Sequence, residues 1–82
     1  MDMKNWTEMV TIELPVIGEY RHVGSTFEAV DCLLSQWRGK EGRTHREAVR
    51  ACLCVLDGDR GSDHARKAFI AAANDSDIFV HH

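Results

Sequence analysis

The sequence predicts an α+β fold in which an N-terminal antiparallel β-hairpin packs on three α-helices, in the order ββααα. Val10, Ile12 and Leu14 alternate with polar residues, and this period of two is typical of a half-buried strand. Further along, Ser25-Thr26-Phe27-Glu28 and Thr44-His45-Arg46-Glu47 have the Ser/Thr-x-x-Glu pattern of a helix start. Because strands precede helices instead of alternating with them, the expected class is α+β.

The hairpin is predicted from the residues between and after two strand-like segments. Pro15-Val16-Ile17-Gly18 places proline at the front and glycine at the end of a four-residue turn. Glu19–Val23 then fits a return strand, with Tyr20 and one neighbour facing inward. Near the C-terminus, Ile78–Val80 fits either a short third strand or an apolar tail laid on the core.

The first helix is predicted from the capping box at Ser25 to a point near Trp37. Within it, Phe27, Val30 and Leu34 recur at three- and four-residue spacing, which is typical of the apolar face of a helix. We therefore expect these side chains to point toward the core.

The second and third helices are predicted from their ends. The second opens with the capping box at Thr44 and continues through Leu56, with Gly58 just past its end, where a left-handed cap is least costly. The third begins at Ser62 and frays near Asn74.

The predicted core joins the three helices to the inner face of the hairpin. On the second helix, Cys52 shares the apolar stripe, whereas Cys54 lies on a more exposed side. The large side chains assigned to this core are Phe27, Leu34, Trp37, Leu53, Leu56 and Phe69.

Length and composition limit the class of protein. The 82 residues form a single domain, with a structured core over about 6–80. No apolar run reaches the length of a membrane span and no secretory signal is recognisable, so no membrane association is expected. An odd cysteine count of three does not make a disulfide framework, which favours a reducing cytoplasm. A net charge of −3 argues against a surface wholly devoted to nucleic acid.

No catalytic, metal-binding or cofactor-binding motif is found. Asp57–Asp63 begins like a calcium loop, but Ser62 replaces its glycine and Ala68 its terminal glutamate. Ser62, Asp63 and His64 have the residue types of a hydrolase triad, yet adjacent residues cannot line up in space. Neither metal-ligand spacing nor a glycine-rich phosphate loop occurs. No cofactor is therefore expected.

A basic stretch provides one candidate site. The segment 38–50 contains five basic residues: Arg38, Lys40, Arg43, Arg46 and Arg50. The last three of them, Arg43, Arg46 and Arg50, follow one face of the second helix. An anion, a phosphate or an acidic partner is a candidate ligand for this face. Alternatively, ion pairs with Glu47 simply solvate the helix.

Cys54 provides a second candidate, as an exposed thiol. Arg50 lies one turn away and favours the thiolate, whereas the C-terminal end of a helix disfavours it. The two influences on the pKa oppose each other, so a plain surface thiol is an alternative.

An ordered set of short motifs covers the chain from Trp6 to about Ile78. They are Trp6-x-x-x-Val10-x-Ile12, Ser25-x-x-Glu28-Ala29, Leu33, Trp37, Gly42, Ala48, Cys52-x-x-Val55-Leu56-x-Gly58 and Ala65-Arg66-x-Ala68-Phe69-Ile70-x-Ala72-Ala73. This set resembles the bacterial family called domain of unknown function 982. The resemblance implies a small cytoplasmic bacterial α+β domain and carries over no catalytic residue. Arg66 is its one charged position with a candidate role beyond the fold.

Three functions follow in order of preference. The first is a non-enzymatic module that binds a protein partner or a second copy of itself. The second is a nucleic-acid or anion-binding domain that uses Arg43, Arg46 and Arg50. The third is a thiol-dependent enzyme that uses Cys54. An interaction module is expected to expose an apolar patch of several hundred Å2 on its folded surface.

Overall fold

The structure, a computed structural model, describes residues 5–13, 18–35, 37 and 41–81. These residues form three strands and three helices, which confirms the predicted α+β class and the hairpin. Near the C-terminus, a short strand is present at Val80–His81, so it includes only Val80 of the predicted segment Ile78–Val80. The elements are β1 (Asn5–Glu13), β2 (Tyr20–Ser25), α1 (Thr26–Ser35), α2 (Arg43–Leu56), α3 (Ser62–Asp75) and β3 (Val80–His81).

The sheet is antiparallel with strand order β2-β1-β3, and one of its faces packs on the helices. Val10 pairs with Val23, and both are fully buried. Glu13 pairs with Tyr20, three positions away from the Val10–Val23 pair on each strand. Because side chains alternate between the two faces of a sheet, Glu13 and Tyr20 lie on the face that points away from the helices. The prediction that Tyr20 faces inward is therefore wrong: the residues of β2 that face the helices are those that alternate with Val23, and Tyr20 is not one of them. Leu14 and the predicted turn residues 15–17 lie outside the described residues.

Helix α1 begins where the sequence predicts. The Glu28 amide donates to Ser25 Oγ at 3.1 Å, as in a capping box. The Glu28 carboxylate accepts at 2.7 Å from the amide of Gly24, one residue before the capping serine. The helix ends at Ser35, two residues before the predicted end at Trp37.

Helix α2 begins one residue earlier than its predicted capping box, at Arg43. Gly42 occupies the N-cap position and makes no side-chain bond, so the prediction that Thr44 caps this helix is wrong. The Thr44 hydroxyl instead donates to the Asp75 carboxylate at 2.8 Å and connects α2 to α3. At the other end, Gly58 has a φ of +90°, as expected for a residue just past a helix.

Small residues bring the helices close to one another and to the sheet. Phe69 is fully buried at the centre of the core, and Trp37 packs on it with ring centroids 5.9 Å apart, so these two predictions are confirmed. Around them, α1 and α2 contribute mostly small or branched side chains, whose close packing leaves little free volume. The buried residues of these two helices are Thr26, Ala29, Cys32, Leu33, His45, Ala48, Ala51, Cys52 and Val55.

For the other four residues assigned to the core, the prediction is wrong. Phe27 is 58% exposed, Leu34 65%, Leu53 51% and Leu56 37%. The cause on α1 is helical phase: the chain passes from Ser25 directly into Thr26, whose buried hydroxyl accepts a 3.0 Å hydrogen bond from the Trp6 indole. With Thr26 held against Trp6, the side of α1 that carries Phe27 and Leu34 faces away from the sheet.

Candidate functional site

The apolar side chains that α1 and α2 leave outside the core lie together on one surface, and no other element in the described part of the chain covers them. We define the α1–α2 surface as Phe27, Val30, Leu34, Leu53 and Leu56. Val30 is half-buried and packs against the core, whereas the other four are exposed. Their exposed fractions correspond to roughly 400 Å2 of side-chain surface, which is comparable to the largest apolar patch of a typical monomer, about 300–600 Å2.

A shallow groove of about 180 Å3 runs between the two helices. Phe27, Val30 and Leu34 form its α1 wall, and Leu56 forms its α2 wall. Leu53 does not line the groove, although it lies one helical turn before Leu56 on α2. The surface therefore carries an apolar depression and, outside it, the exposed side chain of Leu53.

The two edges of the α1–α2 surface carry opposite charges. On the α1 edge, Asp31 lines the groove, and Glu28 lies one turn before it on the exposed side of the helix, with its carboxylate bonded to the Gly24 amide. Arg21 pairs with Asp31 at 3.2 Å, which leaves this edge with a net negative charge. On the α2 edge, Arg46 and Arg50 precede Leu53 by seven and three residues, so they share its side of the helix.

The predicted basic face is present and unpaired. Arg43, Arg46 and Arg50 are all exposed, and no carboxylate in residues 5–13, 18–35 and 41–81 forms a salt bridge with them. The alternative in which Glu47 neutralises this face is therefore not observed. The remaining two basic residues of the stretch, Arg38 and Lys40, lie outside the described residues.

The cysteines separate by burial as the helical faces predict. Cys52 is fully buried and Cys54 is half-buried, so their predicted order of accessibility is confirmed. Burial raises the pKa of the Cys52 thiol to about 12. Burial also raises the pKa of Cys32, against the opposing attraction of Arg21. Burial thus disfavours the reactive thiolate form of both Cys52 and Cys32.

A second depression, of about 230 Å3, lies between β1 and the start of α3. Arg66 crosses it, donating from Nε to the Glu8 carbonyl at 3.0 Å and pairing with the Glu8 carboxylate at 3.4 Å. The pairing register of β1 shifts between Asn5 and Val10, so Arg66 binds a carbonyl in the irregular part of the strand. This arginine therefore has a structural role, which the sequence pattern did not indicate.

The remaining candidates of the sequence are not brought together. His64 is exposed on α3, on the same helix as Ser62 and Asp63, and the three form no hydrogen-bonded chain. Within the part of the chain that the structure describes, no cluster of His, Cys, Asp or Glu could hold a metal ion. No helix among the same residues is long and apolar enough to cross a membrane.

One buried polar residue escaped the sequence analysis. His45 is almost fully buried on α2, and its Nε2 lies 2.8 Å from the Leu33 carbonyl on α1. Because that carbonyl is in the last turn of α1, the imidazole satisfies a group that the helix itself leaves unpaired. His45 thus fixes α2 against α1 beneath the α1–α2 surface.

The fold and its surfaces define a small α+β domain that exposes four large apolar side chains on the α1–α2 surface. The model of a protein family described as "Protein of unknown function (DUF982)" matches residues 8–80. The chain belongs to this family, as the motif order predicted.

A solved structure supports the same fold. The NMR structure of protein Atu1219 from Agrobacterium tumefaciens, a structural-genomics target, is 37% identical with a TM-score of 0.72. The match covers 85% of this chain and 69% of that one. Among curated proteins, no sequence matches the chain.

Proposed function

We propose that the chain is a non-enzymatic interaction module that binds another protein through the α1–α2 surface. The observation that carries this proposal is the exposure of four large apolar side chains on one face. In a domain of 82 residues, apolar area is scarce and is normally used to build the core. Leaving Phe27, Leu34, Leu53 and Leu56 in water forgoes roughly 25 cal/mol for each Å2 that burial would remove from solvent. A partner that covers them recovers that free energy.

The surroundings of the surface support the same proposal. An interface typically has an apolar centre and a charged rim. Here the apolar residues lie between Asp31 on one edge and Arg46 and Arg50 on the other. The rigid attachment of both helices to the core, through residues such as His45, keeps the surface in one shape before binding.

Site-specific photo-crosslinking in cells that make the full chain tests the proposal. A benzophenone amino acid replaces Phe27, which is 58% exposed on the α1–α2 surface. The matched control carries it at Tyr20, an aromatic residue that is 50% exposed on the open face of the sheet. We expect a discrete crosslinked protein band from position 27 and none from position 20.

A further variant makes the test specific. Adding Leu53→Asp to the chain labelled at position 27 is expected to remove the crosslinked band, because a charge on the surface opposes apolar docking. Equal crosslinking from both positions, or none from position 27, would contradict the proposal.

A second candidate function rests on the arginines. Because Arg43, Arg46 and Arg50 are exposed and unpaired, binding of a nucleic acid or another polyanion is the alternative. Three phosphate contacts would give a slope of about −2.7 in a plot of log affinity against log salt. Fluorescence anisotropy with a random-sequence duplex tests this, with Arg46→Glu/Arg50→Glu as the variant that should lose binding. The chain's net charge of −3 favours the first candidate.

A further inference from the structure

We propose that the occupant of the α1–α2 surface is a second copy of the same chain, docked around a two-fold axis. In this arrangement, α1 of each copy faces α2 of the other. The inference rests on the proposed function and names its partner. Three properties of the surface support it: its shape, its charge and its area.

The shape of the surface is self-complementary. A two-fold interface requires every projection on one copy to meet a depression on the same surface of the other. Leu53 is half exposed on α2, while Phe27, Val30, Leu34 and Leu56 line the open groove between the two helices. The groove volume of about 180 Å3 accommodates one large apolar side chain, since an apolar cavity of about 150 Å3 holds benzene. Leu53 of each copy therefore fits the groove of the other.

The charges select the pairing of α1 with α2. When α1 faces α2, the acidic edge with Glu28 and Asp31 meets the arginine edge of the other copy. When each helix faces its own counterpart, Arg46 and Arg50 meet the same two arginines across the interface. Juxtaposed like charges are costly in an interface, so the α1-to-α2 arrangement is favoured.

The area agrees with that of a stable but modest dimer. An interface is about 60% apolar, so an apolar centre of roughly 400 Å2 corresponds to a total of roughly 700 Å2 on each copy. This value lies close to the roughly 800 Å2 that each partner contributes to an interface of standard size. No larger partner is needed to cover the exposed side chains.

Sedimentation equilibrium of the full chain, with a pair of complementary variants, tests the inference. Leu34→Lys and Leu53→Asp each place a charge opposite a leucine of the other copy. Because the dimer has a two-fold axis, each substitution introduces this unfavourable contact twice. We expect each variant alone to raise the dimer dissociation constant by about 100-fold or more. Tyr20→Asp serves as the matched control, because Tyr20 is 50% exposed on the open face of the sheet, outside the α1–α2 surface and its charged edges.

An equimolar mixture of Leu34→Lys and Leu53→Asp is expected to recover dimerisation. In the mixed dimer, the new lysine meets the new aspartate at one contact, and leucine meets leucine at the other. Circular dichroism confirms in parallel that each variant stays folded. Recovery in the mixture, with no effect of Tyr20→Asp, supports the α1-to-α2 arrangement.

Two results would overturn the inference. If the wild-type chain stays monomeric up to about 1 mM, at the weak limit of specific association, the partner is not a second copy. Photo-crosslinking from position 27 then decides separately whether the proposed function stands. If a dimer forms but both single variants leave it unchanged, the copies associate through another surface.

Discussion

At the scale of single residues, Arg66 shows how one side chain stabilises an irregular strand. Its side chain is 17% exposed, and its guanidinium reaches the Glu8 carbonyl in the stretch of β1 where the pairing register shifts. A carbonyl that the sheet does not pair needs another donor, and an arginine supplies one with geometric precision. Lys67, the next residue, instead forms an exposed pair with Asp63 within one helix.

Arg66→Ala is expected to lower the free energy of unfolding by about 1–3 kcal/mol, because a charge-assisted hydrogen bond is lost. Arg66→Lys recovers only part of this, since lysine cannot present two donors in a fixed plane. The neighbouring substitution Lys67→Ala should change stability by about 0.5 kcal/mol or less. Urea denaturation measures all three. Equal effects at both positions would contradict the structural role of Arg66.

Thiol labelling provides a second prediction at this scale. A pKa of about 12 for Cys52 leaves almost no thiolate at pH 8, and only the thiolate reacts. We expect an alkylating reagent to modify Cys54 first, and Cys32 and Cys52 only after unfolding in urea. Mass spectrometry of digested fragments gives the order. Modification of Cys52 at the rate of Cys54 would contradict the assigned faces of α2.

The same pKa predicts how stability depends on pH. A thiol whose pKa rises on folding stabilises the folded chain fully below its unfolded pKa, near 8.5. That stability is lost as the pH rises toward 12, because the unfolded chain releases the proton first. We therefore expect the free energy of unfolding to fall more steeply between pH 9 and 11 in the wild type than in Cys52→Ala. Parallel slopes would mean that Cys52 is not desolvated.

At the scale of secondary-structure elements, the two capping boxes of the sequence have different outcomes. The box at Ser25 forms and fixes the start of α1, whereas Thr44 bonds to Asp75 on another helix. The motif is identical, so the sequence pattern alone does not separate the two cases. The difference arises because Gly42 extends α2 by one residue and moves Thr44 into its first turn.

Ser25→Ala is expected to lower the free energy of unfolding by about 1 kcal/mol, the usual cost of a lost N-cap. A double-mutant cycle identifies the partner of Thr44. Thr44 should couple to Asp75 and not to Glu47, because its hydroxyl donates to the Asp75 carboxylate. The bond of Ser25 goes to the backbone amide of Glu28, so Ser25→Ala alone tests it. Coupling of Thr44 to Glu47 would show that the second box forms after all.

Helical phase explains what was and was not predictable on α1 and α2. The spacing of Phe27, Val30 and Leu34 identified a helix correctly, because three- and four-residue spacing is a property of the backbone. The same spacing did not tell which of two adjacent apolar stripes faces the sheet. Large side chains suggested one answer, but the core uses the smaller stripe with Ala29 and Cys32. Tertiary anchors such as the Trp6–Thr26 hydrogen bond decide this, and they are not local in sequence.

At the scale of the whole molecule, apolar side chains divide between folding and binding. Phe69 is enclosed on all sides and contacts Trp6 and Trp37, whereas Leu34 faces solvent. Phe69→Ala should therefore cost about 3–5 kcal/mol, and Leu34→Ala no more than about 0.5 kcal/mol. Thermal and urea unfolding of dilute protein provide the comparison. If Leu34→Ala lowers the free energy of unfolding of the monomer as much as Phe69→Ala does, Leu34 belongs to the core, and the division is contradicted.

The candidate sites were partly predictable for the same reason. Arg43, Arg46 and Arg50 were identified correctly as one exposed helical face, since their spacing alone defines a helix side. The α1–α2 surface was not predicted, because its residues are the ones that hydrophobicity assigns to the interior. Only the observed packing shows that the core is complete without Phe27, Leu34 and Leu53.

The binding of a second copy of the chain to the α1–α2 surface can be followed at individual residues. Its most direct test is a dilution series of the wild-type protein, from about 1 mM to about 10 µM, followed by amide chemical shifts in two-dimensional NMR. We predict concentration-dependent shifts at Phe27, Leu34, Arg50 and Leu53, and constant shifts on the open face of the sheet around Tyr20. Shifts that stay constant everywhere, or that change around Tyr20 instead, would contradict the claim.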